Sequence, residues 1–480
     1  MNFQLMSGVP QGAAFEKVSR IRIKLEDTES ILDIGKVRLP LIPMASDYDP
    51  RKYRQPSSRI SPWMAHFNMV RAVCGPGLLG MPVAMSASGL IIGSTFTILS
   101  GILLIHMYRL LLDNLNEISR QLKIPYISYR YGFRAAVLHG PPIFQCIGNH
   151  GPTIIGIFMI MSQVGICTVC VILTSDSLRD IADWSSNNSA LLALLPVYLV
   201  LEFLMKNLKR VSYLGIIGFG LNMSGLLMIF YHIFKEPQRQ IIYWEEGVGG
   251  WLFTWGMCLF NLSALAVILT LDKALKDPKI MTSTLGVINI SLGIPVLLSL
   301  VFGALGYWAF GSMEENILRA LPYDDLTSMI IMSFYIVSVT SAYPLHCYPI
   351  TGVIEEMCRY ASDDFVPTDA TLEVIRIICR PLFVLLAFTI AYYFPFQGPF
   401  VAFVGNLCTS MLSIVFPAMM DLSLRYGVPN AYGPYNIYLI KDVIIFLLGL
   451  IVSLFGVYFC GYLINIRILS NNGPKRDVFL

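Results

Sequence analysis

Eleven stretches of this chain are apolar over about the length a helix needs to cross a bilayer, roughly 20 residues, and they set the class of fold. They cover 63–88, 90–112, 153–175, 190–206, 211–234, 250–271, 284–310, 327–350, 381–396, 400–424 and 442–465. The chain is 55% hydrophobic and 14% charged over 480 residues, with a mean hydropathy of +0.64, more apolar than a soluble core of this size needs. In lipid every backbone N–H and C=O must be satisfied inside the protein, so apolar spans become helices. The expected architecture is an all-α polytopic membrane protein with 11 transmembrane helices. The fourth and ninth spans are short: each is re-entrant or strongly tilted, or the ninth begins earlier, with Arg376 and Arg380 snorkelling to the interface.

Three regions follow. Residues 1–62 are polar, carry Pro40, Pro43, Pro50, Pro56 and Pro62, and lack a helical period, which predicts a mostly disordered tail. Residues 63–466 form the membrane domain, and 467–480 a short C-terminal tail. The first thirty residues contain no apolar signal-like core, so the first span is expected to direct insertion. Cytoplasmic flanks of spans carry excess Lys and Arg. With the N-terminus cytoplasmic, most basic residues fall inside, from Arg51 and Lys52 through Lys206, Lys209, Arg210, Lys273, Lys276 and Lys279 to Arg425 and Lys441. Outside fall Arg179, Lys235, Arg239, Arg319, Arg467, Lys475 and Arg476, the last three in a C-terminal tail that an odd span count makes external or lumenal.

Several short features refine this outline. Asn187-Asn188-Ser189 lies in an outer loop and makes Asn187 a glycosylation acceptor; the sequons at Asn222, Asn261 and Asn289 lie within spans, beyond a transferase's reach. The net charge of +3 reflects the inner flanks and implies no nucleic-acid partner. None of the ten cysteines falls in an outer segment, so no structural disulfide is expected; Cys167 and Cys170 have redox-like spacing but read as buried side chains of the third span. Asp27 to Leu32 reads either as an acidic dileucine sorting signal or as ordinary polar tail, which leaves plasma membrane and lysosomal or endosomal membranes open. The inner loop 113–152, with Tyr126, Tyr129 and Tyr131 among Arg130 and Arg134, is either an interfacial helix on the inner leaflet or a solvated loop.

The first span is interrupted by Gly75-Pro76-Gly77. Proline removes a donor and clashes with the preceding turn, and glycine has extra conformational entropy to lose, so the helix should open there. An opened backbone is tolerable in a membrane only where protein buries it or where it lines a cavity. The half-helix after the break offers free N–H groups and the positive end of a dipole, a place for a carboxylate formed by Gly75, Pro76, Gly77, Leu78 and Gly80. The alternative is a packing kink. The sixth span has small and polar residues in its middle, Asn261 and Ser263 among them, and starts five spans after the first. That spacing is what two inverted five-helix repeats require, with discontinuous first and sixth helices facing a midplane substrate.

Ionisable residues inside spans are functional candidates. Arg71, one turn before the break, is an inner gate, a neutraliser of a carried anion or a snorkelling side chain; His66 and His346 are the intramembrane proton acceptors, while His106 and His232 sit near span ends. Glu202 reads as a helix-face partner of Lys206, and Asp272 and Asp421 as solvated inner-end residues. The eighth span carries a polar stripe of Ser338, Thr340, Ser341, Tyr343 and His346, suited to a coordinated cation or to hydrogen bonding between helices. No nucleotide-binding loop, metal-ligand cluster or nucleophile with a placed base is present, so no cofactor, metal or enzymatic role is expected.

These residues resemble the amino acid/auxin permease family, above all its proton-coupled amino acid transporter branch. The similarity lies in Phe67 to Arg71 with Gly77 to Pro82, in Gly306 to Gly311 with Asn316 to Pro322, in Tyr343 to Tyr348, and in Phe403 to Gly405 with Phe416, Pro417 and Asp421. The resemblance implies a LeuT-type fold, a 5+5 inverted repeat plus one helix, and secondary active symport of small neutral amino acids with protons. On the residues' own chemistry, Asn261 and Ser263 are expected to shape the pocket, and His66, Asn68, Arg71, Thr340, Ser341, Tyr343 and His346 to serve coupling or gating. The branch usually has His where this chain has Asn68, Phe-Glu-Gly where it has Phe260-Asn261-Leu262-Ser263, cysteines in outer loops and a small residue in place of Pro76. A sodium-coupled or uncoupled carrier, or a non-transporting amino-acid sensor, are therefore the alternatives.

Overall fold

The computed structural model describes residues 48–53, 60–204, 208–235, 239–275, 277–313, 315–322, 325–359, 369–428 and 431–471. The Asp27–Leu32 motif lies outside them. Among the described residues the only β structure is an isolated bridge between Ile60 and Leu275.

All eleven expected spans are helical. Span 1 is a bent pair, Pro62–Val73 and Pro76–Ser88, at 43°. Span 2 is Leu90–Gln121, span 3 Gly151–Ile181, span 4 Asn187–Leu204 and span 5 Leu208–Lys235. Span 6 divides into Val248–Asn261 and Leu265–Ala274; span 7 is Val287–Phe310, span 8 Leu326–Arg359 and span 9 Asp369–Tyr393. Span 10 runs over Gln397–Arg425 and span 11 over Ile437–Asn471. Span 9 takes the earlier start, with Arg376 and Arg380 inside the helix.

Spans 1, 2, 6 and 7 pack on one another; spans 3, 4, 5, 8 and 9 form a second group, in which span 8 lies along spans 3 and 5. Span 10 joins the two groups and span 11 closes over it. Small residues permit this closeness. A Cβ on Gly405 would come within 1.9 Å of the Gly256 carbonyl oxygen, so spans 6 and 10 touch backbone to backbone. Span 10 is also widened in two single-turn π segments, Gly405–Thr409 and Met411–Val415, a device common where helices serve a site.

Four local expectations give way to tertiary structure. The loop after span 2 is not a solvated loop: its helix Tyr129–Leu138 packs against spans 3 and 10. Its apolar face of Phe133, Ala136 and Val137 is buried, and Tyr129 and Arg130 bond within the protein. Tyr129 donates to the Leu412 carbonyl at 2.8 Å, and Arg130 donates to the Pro152 carbonyl at 2.8 Å and pairs with Glu356 at 3.2 Å. Asp272 and Asp421, expected in solvent, are buried, Asp421 against Arg425 at 2.8 Å. His232 is buried too, with Asp325 3.7 Å away. Arg467, counted with the C-terminal tail, lies inside span 11, where it pairs with Glu315; Glu315 also accepts from the Gly398 N–H at the start of span 10 at 2.9 Å. Arg130, His232 and Arg467 thus lie beside acidic residues distant in sequence, which local sequence does not display, whereas Asp421 has its partner one helical turn away. Asn187 opens span 4 and is half-buried.

Candidate functional site

The site is built from two interrupted helices that touch. In span 1 the helix stops at Val73, Cys74 leaves helical geometry (φ −77°, ψ 60°), and Gly75 is extended (φ −113°, ψ −154°). The Asn222 amide of span 5 donates to the freed Cys74 carbonyl at 2.9 Å. Pro76 has no N–H, and among the described residues the Gly77 N–H finds no backbone acceptor. Leu78 donates to the Gly75 carbonyl at 3.1 Å, closing a turn from which the second half-helix leaves.

In span 6 the interruption is shorter. Leu262 and Ala264 depart from helical angles between the two halves. One phenol from span 2 closes this gap: Tyr108 accepts from the Ala264 N–H at 3.2 Å, lies 3.5 Å from the Leu262 carbonyl, and takes a hydrogen bond from Ser413 of span 10 at 3.3 Å. Asn261 ends the first half, is buried, and donates to Ser299 of span 7 at 2.6 Å; its Oδ1 has no partner among the described residues.

Gly77 and Asn261 bring the two breaks together. A Cβ on Gly77 would stand 2.8 Å from the Asn261 Cα and 3.1 Å from its Oδ1, closer than a side chain allows. Gly75 is different: the nearest atom to a Cβ there is the Ala72 carbonyl oxygen at 3.8 Å, and the residue is half-exposed between buried neighbours. The break therefore has one sealed glycine and one facing open space. Gly80 is close-packed beneath Met257 of span 6, Leu78 is buried, and Ser263 is half-buried.

The other candidates occupy three places. His66 contacts Ser291 of span 7 through Nδ1 at 2.8 Å, and Asn68 is half-buried about two turns before the break. Arg71 is 7% exposed, lies against Gly215 of span 5, and has an Nη2 with no partner among the described residues. His346 is buried within reach of its charge. The stripe of span 8 divides between neighbours. Thr340 donates to Tyr198 of span 4 at 3.3 Å, and Tyr343 stacks edge-on to that ring at 4.8 Å, while Ser341 bonds the Ser338 carbonyl at 2.6 Å and fills the notch at Gly218 of span 5. Thr340 and Tyr343 thus face spans 3 and 4, and Ser341 faces span 5. The stripe does not converge on one point. Among the described residues no group of three His, Cys, Asp or Glu could hold a metal, and all ten cysteines are free.

Tyr108 and Asn222 are the site residues that sequence reasoning passed over. Tyr108 stands between His106 and Arg109 near the inner end of span 2, where it reads as an interfacial aromatic, and Asn222 shows in sequence only as an unreachable sequon.

A sequence profile of the family described as transmembrane amino acid transporter protein matches residues 58–461. The chain belongs to that family. Among curated relatives of this transporter, the proton-coupled amino acid transporter-like protein pathetic of Drosophila melanogaster is 23% identical over 424 residues, covering 86% of this chain and 87% of that one. The amino acid transporter AVT3C of Arabidopsis thaliana is 23% identical over 414 residues, covering 82% and 88%. A solved structure of a Na+-coupled sialic acid symporter in a substrate-bound outward-open state superposes with a TM-score of 0.50 at 13% identity, covering 89% of this transporter and 95% of the symporter. That likeness concerns fold alone: the LeuT-type 5+5 inverted repeat with discontinuous spans 1 and 6 and an eleventh helix. The family assigns this integral membrane protein to amino-acid transport across a membrane.

Proposed function

We propose that the protein is a proton-coupled secondary carrier of small neutral amino acids, with its N-terminus in the cytoplasm. The observation that carries this reading is the asymmetry of the first break: an open flank at Gly75 beside an N–H of Gly77 without a backbone acceptor, with the unpartnered Oδ1 of Asn261 close by. One donor and one acceptor complement the two ends of an amino-acid zwitterion. The carboxylate lies at the start of the second half of span 1, over the Gly75 to Gly80 backbone, where the helix dipole favours negative charge. The α-ammonium donates to Asn261, and Ser263 lines the pocket beside it.

For coupling, His66 of span 1, held to Ser291 of span 7 at 2.8 Å, and His346, buried in span 8, are the titratable candidates. Arg71 and Asn68 guard the cytoplasmic side of the break, and the hydrogen bonds of Thr340, Ser341 and Tyr343 hold span 8 against the moving bundle. The curated relative described as proton-coupled transporter-like supports protons as the driving ion.

Amino-acid flux into proteoliposomes under an inward pH gradient, with and without sodium, tests this. Flux that follows the pH gradient is expected. Flux that needs sodium would overturn the coupling ion, and saturable binding without flux would reassign the protein as a sensor.

A further inference from the structure

A second polar pocket lies far from the broken helices, between spans 4 and 9. It encloses about 270 Å³, and its charged lining is Glu202 from span 4 and Glu373, Arg376 and Arg380 from span 9. Residues 373, 376 and 380 recur at helical spacing, so span 9 turns one charged stripe toward span 4. Glu202 is 3% exposed and bonds Cys347 of span 8, while its Oε1 has no hydrogen-bond partner among the described residues; Lys206, expected as its helix-face partner, lies outside them. Arg380 reaches the Glu202 backbone carbonyl at 3.4 Å, and Arg376 is held by Glu355 of span 8 at 2.5 Å. A buried carboxylate oxygen that accepts nothing is costly unless a donor is supplied.

The surroundings indicate what supplies it. Span 9 is among the least buried spans, and its Ile377, Ile378, Leu382 and Leu385 are exposed, as are Val200 and Phe203 of span 4. On a helix crossing a bilayer these residues meet acyl chains. The pocket thus opens onto an apolar track, and Glu202 precedes Lys206, Lys209 and Arg210, the basic run expected at the inner flank of span 4, where headgroups begin. Two carboxylates and two guanidinium groups favour a ligand carrying both charges over a purely anionic one.

We propose that this pocket binds the headgroup of an ethanolamine phospholipid. The ammonium group donates to Glu202 Oε1 and to Glu373, the phosphate accepts from Arg376 and Arg380, and the acyl chains lie along the exposed faces of spans 4 and 9. Arg376 keeps Glu355 as a partner, which fixes its guanidinium fork for the phosphate. A choline headgroup has no N–H to give Glu202. A glycerol headgroup lacks the cation altogether.

The test uses the full-length protein in nanodiscs of equimolar dioleoyl phosphatidylethanolamine, phosphatidylcholine and phosphatidylglycerol, with retained lipid counted by native mass spectrometry. One phosphatidylethanolamine per chain is expected to persist, with about tenfold preference over phosphatidylcholine, the discrimination that one charge-assisted hydrogen bond supplies. Glu202→Gln should abolish that preference. Because a buried substitution can impair folding, Glu373→Gln at the exposed rim is the second variant, and it should reduce retention several-fold while leaving the thermal melt unchanged. Equal retention of all three lipids, or unaltered preference in both variants, would overturn the proposal. Displacement by water-soluble O-phosphoethanolamine at the same concentration as the lipid would overturn the assignment to a lipid.

Discussion

The two interrupted spans solve the same physical problem in opposite ways. In span 6 the gap is closed by a single phenol, Tyr108, which serves both sides of the break and is itself held by Ser413. In span 1 Asn222 closes the Cys74 carbonyl and Gly75 is bonded through both its N–H and its carbonyl, while the Gly77 N–H beside the half-exposed Gly75 is left without a backbone acceptor among the described residues. A membrane offers no water to satisfy an open backbone, so the first arrangement is a finished joint and the second an unfinished one. The difference teaches that a break is not by itself a site: what matters is which backbone groups the rest of the fold leaves unsatisfied.

That contrast can be broken experimentally. The largest effect is expected where the two breaks meet. Gly77→Ala puts a Cβ 2.8 Å from a backbone atom of Asn261, which cannot move aside as a flexible side chain would. A loss of about 3 kcal/mol, the upper end for overpacking, and abolished flux are expected; a melt and flux equal to wild type would mean that the breaks do not touch. Next comes Tyr108→Phe, which deletes the hydroxyl and leaves the Ala264 N–H buried and unpaired. It should cost about 1–3 kcal/mol, seen as a lowered melting temperature in detergent, with amino-acid affinity preserved.

Asn222→Ala removes one hydrogen bond from the Cys74 carbonyl and should lower stability by about 1 kcal/mol, a smaller shift than Tyr108→Phe because only one group is orphaned. Were its effect the larger, the picture of span 6 as the more tightly closed break would fail. The smallest effect on stability belongs to Gly75→Ala, within about 0.5 kcal/mol, since the nearest atom to the new methyl is 3.8 Å away. Its consequence should appear instead in transport, as a raised KM measured by initial-rate flux.

How legible all this was depended on range along the chain. The break of span 1 stood out because proline and glycine act locally, through a missing donor and a missing side chain. Span 6 was half legible: Asn261 and Ser263 marked it as unusual, but the interruption itself is made by Tyr108, more than 150 positions away. Hydropathy found every span because lipid imposes a length, and it placed the start of span 9 late because Arg376 and Arg380 interrupt the apolar run while bonding within the protein. The Glu315 and Arg467 pair was invisible for the same reason. Each looks like a loop or tail charge until the fold buries it against the other. The polar stripe of span 8 shows the reverse limit, since helical spacing put its members on adjacent turns while their partners drew them toward different spans.

The central claim is that the unfinished joint of span 1 holds an amino-acid carboxylate. Competition binding to the full-length protein, comparing alanine with its methyl ester and with ethylamine, tests it most directly, on wild type and on Gly75→Ala. The account predicts that only alanine competes in wild type, and that Gly75→Ala weakens this competition at an unchanged melting temperature. Equal competition by the ester or by ethylamine would contradict it.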